Sequence, residues 1–367
     1  MWPWQGNHEY TAGSGQPRAV RPTPRTIRIG TILVSLMNDL RDLVPLPHIW
    51  DSLETVEGRL LEAAASDDPY LTKIAQHLLV AGGKRFRPLL ALLAAEFGEE
   101  SAIDNRRPIE AAVAVELIHV GSLYHDDVID EADTRRGAPS VNANWSNTVA
   151  ILAGDFLMAR ASEVAATYLS QESVRLLAVT YAELVEGQTR EMQLVDSVDH
   201  SISEYEKVIS GKTASLIRTS ARLGAMAAGA DDHVVEALTE WAFELGMVFQ
   251  MADDALDLVG TEDRLGKPAG SDIREGTFTL AVLSAMQESG RLRRLLARPR
   301  PYPEETVDEA IGLLRDGGWI DRALDTALKR VGVAQERLRS LPSRPALPIL
   351  EGLGRYLVER VEAERRV

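Results

Sequence analysis

The sequence contains no cysteine. That excludes a disulfide framework, a thiolate metal site and a cysteine nucleophile, and it suits a protein working in the reducing cytoplasm. An excess of positive charge is also missing: 40 Lys and Arg stand against 55 Asp and Glu, giving a net charge of −15 and a pI near 5.0. Nucleic-acid binders are usually basic, so that class of function is set aside. If the ligands of this chain are themselves anions, something other than net charge must hold them. Long hydrophobic runs are absent. Uncharged apolar stretches such as 149–152 fall well short of the roughly 20 residues that cross a bilayer. No repeat of fixed period is present, which argues against a solenoid. Alternating patterns of β-branched residues are scarce, so little sheet is expected.

The composition is 45% hydrophobic and 26% charged, ordinary for a globular chain with ample material for a large core. Residues 1–28 mix Trp, Gly, Pro, Thr and Arg without periodicity and read as a flexible tail. The apolar run 32–37 follows arginines but is too short for a signal peptide and lacks a small-residue cleavage pattern. The tail is expected to reach residue 45, with one helical domain over 46–367. From Leu46 onward apolar residues recur at three- and four-residue spacing, as in Leu89-Leu92-Leu93 and Val113-Leu117-Val120-Tyr124, the period of a helix. The pattern predicts helices over about 107–130, 146–169, 172–197, 204–229 and 232–259, and Gly or Pro marks joints at Gly82-Gly83, Pro108, Gly137 to Pro139 and Gly266 to Gly270. Several of these helices are apolar around much of their circumference, which places them inside a large bundle.

The chemistry concentrates at two helix ends. In His125-Asp126-Asp127-Val128-Ile129-Asp130, Asp126 and Asp130 lie at i and i+4 and share one helix face. Like charges there destabilise a helix unless something positive sits between them. The segment Gln250-Met251-Ala252-Asp253-Asp254-Ala255-Leu256-Asp257 repeats the arrangement 127 residues later, again after an apolar helix. Carboxylate oxygens are hard ligands that suit Mg²⁺, which is typically held by one or two carboxylates together with substrate phosphates. Two such clusters facing each other would cage a diphosphate, with the cations rather than the protein surface recruiting the anion. One DDxxD in an acidic chain is readily a solvated helix end. Two copies, each closing an apolar helix, are much less readily chance. A basic motif, Gly82-Gly83-Lys84-Arg85-Phe86-Arg87-Pro88, sets three cations beside a diglycine, and Arg135-Arg136-Gly137 adds two more after the first acidic cluster. Glycine lets backbone approach an anion, and Lys and Arg bind phosphate oxygens. The bland alternative is a solvated basic loop.

Together these residues resemble the trans-isoprenyl diphosphate synthase (polyprenyl synthetase) family, in particular its long-chain members. The resemblance runs from about residue 50 to the C-terminus through GGKRFRP at 82–88, HDDVIDEADTRRG at 125–137, GDFLMARA at 154–161, EGQTRE at 186–191, GKTASL at 211–216, FQMADDALD at 249–257 and GKPAGSDIREG at 266–276. It implies an all-α antiparallel bundle around a deep cavity, usually in a homodimer. It implies a prenyltransferase that joins isopentenyl diphosphate to an allylic prenyl diphosphate with Mg²⁺, three ions per site. By this resemblance Asp126, Asp130 and Asp253 would coordinate the metal, with Asp127, Asp254 and Asp257 supporting them. Arg135, Lys212, Thr213, Gln188, Glu191, Gln250 and Lys267 would surround the allylic diphosphate. Lys84, Arg87, His119 and Arg136 would bind isopentenyl diphosphate. Read without the family, His119 is a core histidine on an apolar face.

Ser210-Gly211-Lys212-Thr213 invites a nucleotide-binding reading, but a P-loop needs a glycine at position 206, which is Glu206, and a preceding strand. Product length follows from sterics. The growing chain is expected to run down the helix of the first cluster, past Gly121 and Ser122 and then Leu117 and Ile118. No bulky aromatic floors that path, which favours a C30 to C50 product such as a quinone side chain over a C15 to C20 one. Thr277 stands where many family members carry Lys, and Ala281 replaces a family proline. A neutral hydroxyl does not replace a cation. Two rivals share the scaffold. A terpene synthase would have a degraded second-substrate pocket, and a non-catalytic partner subunit would have lost aspartates. This sequence shows neither defect.

Overall fold

The computed structural model describes residues 40–99, 106–260 and 268–365. The bundle is built from α1 (Pro47–Ala63), α2 (Phe86–Ala95), α3 (Arg107–Ile129), α4 (Asn147–Tyr168), α5 (Gln171–Leu194), α6 (Ile202–Ile209), α7 (Ser215–Ala227), α8 (Asp232–Val259), α9 (Leu280–Glu288), α10 (Trp319–Leu338) and α11 (Leu347–Arg365). Shorter helices join them. The expected helices are found with their ends shifted by a few residues. The segment expected as one helix over 204–229 is instead α6 and α7 joined by a π-helical turn, Ser210–Ala214. The flexible tail expected over residues 1–45 lies almost wholly outside the described residues, as does Lys267.

Helix α3 is central. Fourteen of its 23 residues are buried, on every side of the axis, including Glu110 and Glu116. Such a helix needs neighbours all round, and α1, α2, α4 and α7 supply them. Its two buried glutamates are paired: Arg59 and Arg106 reach Glu110 at 3.0 and 2.6 Å, and Arg85 reaches Glu116 at 3.0 Å. Helix α8 is the second axis, packed on α7, α10 and α11. Side-chain caps start α4 and α5, where Ser146 and Ser170 accept from Val149 and Ser173 backbone N–H groups.

A two-residue β-ribbon, which no alternation signalled, follows α3: β1 (Thr134–Arg135) pairs antiparallel with β2 (Ala138–Pro139). Its turn is Arg136-Gly137, with φ of 53° and 76°, the doubly left-handed geometry of tight hairpins. The turn folds Arg135 and Arg136 back towards the end of α3. Among the described residues no helix is long and apolar enough to cross a membrane.

Candidate active site

The first acidic cluster ends α3. Asp126 is half-buried and Asp130 exposed. Burial pushes the Asp126 carboxyl up to about 6, against the pull of Lys212 and with the push of Asp130. Asp127 points into the protein, is fully buried, and accepts from Arg135 Nε at 2.6 Å. The second cluster lies near the end of α8, with Asp253 exposed and Asp254 and Asp257 buried. Asp254 accepts from Tyr205 Oη at 2.6 Å and from Gln250 Nε2 at 2.8 Å, and Thr213 Oγ1 donates to Gln250 Oε1 at 2.6 Å. Burial raises the Asp254 carboxyl despite these donors, and Asp253 adds to the shift. Asp257 Oδ2 accepts from the backbone N–H of Asp272 at 3.1 Å, fastening the helix Ser271–Glu275 to α8.

Both clusters open on one cavity of about 540 Å³, whose wall includes Asp130, Gln188, Glu191, Lys212, Thr213, Gln250 and Asp254. Lys212 comes from the π-helical turn and pairs with Glu191 of α5. Burial alone would lower its pKa, but Glu191, Asp126 and Asp130 outweigh that and raise it, so the ammonium stays charged. Two glycines permit the approach. A Cβ on Gly211 would lie 2.8 Å from the carbonyl O of Glu183, and one on Gly187 would collide with the backbone N of Lys212. Sequence spacing did not indicate this contact.

The donor set is oxygen only, which suits a hard cation. Among the described residues no three carboxylate or imidazole groups converge on a single point. Asp126 and Asp130 come from one helix and Asp253 from another, an arrangement that leaves coordination positions for ligand oxygens. The raised Asp126 carboxyl and the buried Asp127 Oδ2, which has no hydrogen-bond partner, both fit positive charge at that end of α3. The residues present therefore fit divalent cations shared with an anionic ligand. Tyr205, only 5% exposed, was not singled out by sequence. Its signal was weak, a lone tyrosine seven residues before Lys212. Tyr205→Phe is expected to weaken divalent-cation affinity about 10- to 100-fold, the usual effect of removing a hydrogen bond that supports a metal site from behind. Titration calorimetry with the cation and a diphosphate would show it, and unchanged affinity would sink this role.

A second cationic group brings Arg87, Arg136 and His119 within electrostatic reach of one another, with Lys84 three residues before Arg87 on the same loop. Arg87 is lowered to about 10 by burial, with Glu116 opposing and Arg136 contributing. His119 is held well below its ordinary value by burial and then by Arg87 and Arg136, so it is neutral at pH 7. Arg136 donates to the carbonyls of Leu78 (3.0 Å) and Gly82 (2.5 Å), and a Cβ on Gly83 would lie 2.9 Å from its guanidinium carbon. The diglycine thus lets the loop close over a guanidinium. Arg87 Nε is buried without an acceptor, which fits an anion. Arg85, between Lys84 and Arg87 in sequence, turns inward to Glu57 and Glu116, which neutralise it. Lys84 is lowered by burial and by Arg360 of α11, and raised by Asp253. Lys84 therefore feels both the second acidic cluster and Arg360, a cation that sequence reasoning missed.

A third, mainly apolar cavity of about 390 Å³ runs from Asp126 past Ser122 to Tyr181, Leu184 and Val185 of α5. Gly121 does not line it. A Cβ there would meet the Met158 methyl at 3.0 Å and the Gly154 carbonyl O of α4 at 3.2 Å. Leu117 and Ile118 are buried in the core beside it.

A sequence model described as polyprenyl synthetase matches residues 68–314. Nonaprenyl diphosphate synthase of Mycobacterium tuberculosis is 42% identical over 342 residues, covering 92% of this chain and 99% of its own length. Heptaprenyl diphosphate synthase component 2 of Geobacillus stearothermophilus is 40% identical, covering 84% and 96%. The structure of geranylgeranyl pyrophosphate synthase from Corynebacterium glutamicum, complexed with calcium and isoprenyl diphosphate, superimposes with a TM-score of 0.75 at 41% identity over 85% of this chain and 96% of its own.

Proposed function

This chain belongs to the polyprenyl synthetase family, and on that premise we propose that it condenses isopentenyl diphosphate with an allylic prenyl diphosphate, using Mg²⁺, to make a C30 to C50 trans-polyprenyl diphosphate. One observation supports the reading: an acidic cavity and a group of half-buried cations differ in character in the way two differently held diphosphates require. One is framed by the carboxylates of α3 and α8 with Lys212 between them. The other is the cationic group of Arg87, Arg136 and Lys84, where the Nε–H of Arg87 is buried and unused. Two diphosphates, one metal-bound and one held by arginine and lysine, fit that pair.

Divalent cations held by Asp126, Asp130 and Asp253 would neutralise charge as the allylic diphosphate departs. The chain's own residues do the rest. Lys212 and Gln250 orient the leaving diphosphate, and Arg87, Arg136 and Lys84 hold isopentenyl diphosphate beside it. Its double bond attacks the allylic carbon, and the proton lost afterwards goes to the departed diphosphate. The apolar cavity beyond Asp126 takes the tail and keeps water from the cation. The long-chain relatives and the small side chain at Ser122 support a long product. Purified protein, Mg²⁺, labelled isopentenyl diphosphate and geranyl, farnesyl or geranylgeranyl primers would test this. Labelled products beyond C20 are expected. Products ending at C15 or C20 would refute the long-chain assignment, and no incorporation would refute elongation.

The working unit we propose is a homodimer in the cytoplasm. Ile151 and Leu152 of α4 and Val179, Val185 and Met192 of α5 are exposed apolar side chains, Leu152 at 60% and Met192 at 57%. Contiguous apolar surface of this kind marks association sites. Ile151, Val185 and Met192 also border the 390 Å³ cavity, so a second copy would wall the tail off from solvent. Leu152→Arg is expected to give a monomer by light scattering, with shorter or fewer products. A dimer surviving both Leu152→Arg and Val185→Arg would place the interface elsewhere.

A further inference from the structure

The 540 Å³ cavity continues past Lys212 to a rim formed by Asp272, Glu275, Thr277 and Arg300. Its wall is rich in carboxylates. Among the described residues its permanently charged cations are Lys212 and Arg300, and Lys212 is already paired with Glu191. Arg300 lies on the loop before the helix Glu304–Asp316. It is held in place by Asp196 just beyond α5, through Nε and through Nη2 to Oδ2 at 2.9 Å, and by a long contact of Nη1 with the Arg274 carbonyl at 3.4 Å. Three of its five N–H donors are so engaged, leaving two for another acceptor.

The guanidinium and the Asp196 carboxylate both pack close to Gly276, the residue before Thr277. A Cβ on Gly276 would come within 2.7 Å of Arg300 Nε and 3.1 Å of its Cζ, and Gly276 has φ of +76°, so a side chain there is disfavoured twice. The backbone N–H of Asp196 donates to the Gly276 carbonyl at 2.9 Å, which ties the carboxylate, the arginine and the glycine into one unit. Arg300 is 31% exposed and Asp196 50% exposed. A fully buried clamp would not leave Arg300 on the cavity wall.

Resting on the proposed function, we propose that Arg300 is a binding residue for the allylic diphosphate. Its guanidinium supplies from the 300 loop the positive charge that the neutral Thr277 does not supply from the 276–277 turn. A planar fork pre-oriented by Asp196 is suited to two diphosphate oxygens. The opposing account is that Arg300 only fastens the 300 loop to Asp196.

Four variants separate these: Arg300→Gln, Asp196→Asn, Thr277→Lys, and Arg300→Gln with Thr277→Lys. Each is measured for equilibrium binding of farnesyl thiodiphosphate with Mg²⁺, for KM of both substrates, and for Tm. Arg300→Gln is expected to weaken analogue binding and raise the allylic KM about 10- to 100-fold, the usual cost of losing a charge-assisted hydrogen bond, while the KM for isopentenyl diphosphate stays near wild type. Asp196→Asn breaks the tether but keeps the cation, so it lowers Tm while largely preserving allylic binding. Thr277→Lys is expected to restore binding in the Arg300→Gln background. Normal analogue binding by Arg300→Gln overturns the assignment whatever the turnover. Equal losses in Arg300→Gln and Asp196→Asn without rescue by Thr277→Lys overturn it in favour of the clamp. A wild type that binds the analogue through Arg300 but incorporates no isopentenyl diphosphate would sink elongation and leave Arg300 in place.

Discussion

Asp126→Ala is expected to lower kcat for condensation by about 1000-fold or more, the scale at which loss of electrostatic stabilisation of a leaving group is felt, while leaving Tm unchanged or slightly higher. Both halves follow from the same position. Asp126 and Lys212 share the wall of the 390 Å³ cavity, and the proposed mechanism gives Asp126 a share in neutralising the departing diphosphate. Yet burial disfavours its charged form and Asp130 repels it from one turn away on the same face, so the folded protein gains little from holding it there. Lys212 keeps Glu191 as a partner when Asp126 is removed, so the variant creates no stranded cation. A carboxylate that serves structure would give the reverse pattern, a drop in Tm with modest loss of turnover. Thermal melts and steady-state rates at saturating Mg²⁺ on one preparation decide between them, and a kcat within tenfold of wild type would remove Asp126 from the site.

The bundle was legible because it rests on a period. Val113, Leu117, Val120 and Tyr124 repeat at helical spacing and all end buried in α3, and a stripe wide enough to go round the helix has to be central. The acidic ends were legible because like charges at i and i+4 need a reason. Other features depend on contacts that no local pattern encodes. The π-helical turn at Ser210–Ala214 has unremarkable helical composition, and it lies where Gly187 and Gly211 let two backbones touch. Arg85 and Arg87 are two residues apart in one basic motif, but one is neutralised by Glu57 and Glu116 while the Nε of the other is buried without an acceptor. Tyr205 meets Asp254 across 49 residues and Arg300 meets Asp196 across 104. The tail path shows the same limit. Counting back from Asp126 placed Gly121 and Ser122 together on the open path of the tail, but successive helix positions lie about 100° apart. Only Ser122 lines the cavity, while Gly121 lies against Met158 and Gly154 of α4.

That separation makes Ser122→Phe the stronger test of product length. Ser122 lies one turn before Asp126, and its hydroxyl donates only to its own helix, to the His119 carbonyl at 2.8 Å. Losing that bond costs the fold little, and the position is half-buried, so a larger side chain has room to extend into the cavity rather than into the core. A phenyl ring there would stand opposite Tyr181 and Leu184. One helical turn rises about 5.4 Å, comparable with one extended isoprene unit, so the ring would meet the tail within the first few units below the diphosphate. Products are expected to shorten from beyond C20 to C20 or less, with farnesyl diphosphate becoming a poor primer and geranyl diphosphate remaining a good one. The early condensations should stay within about tenfold of wild type, because steric blocks act on the substrates that reach them. Phe at position 121 is a less direct probe, since it must first displace Met158 and press on the α4 backbone, at about 1–3 kcal/mol of stability for overpacking. Chromatographic sizing of labelled products from both variants checks the geometry. An unshortened product from Ser122→Phe would mean that the tail leaves the site by another route.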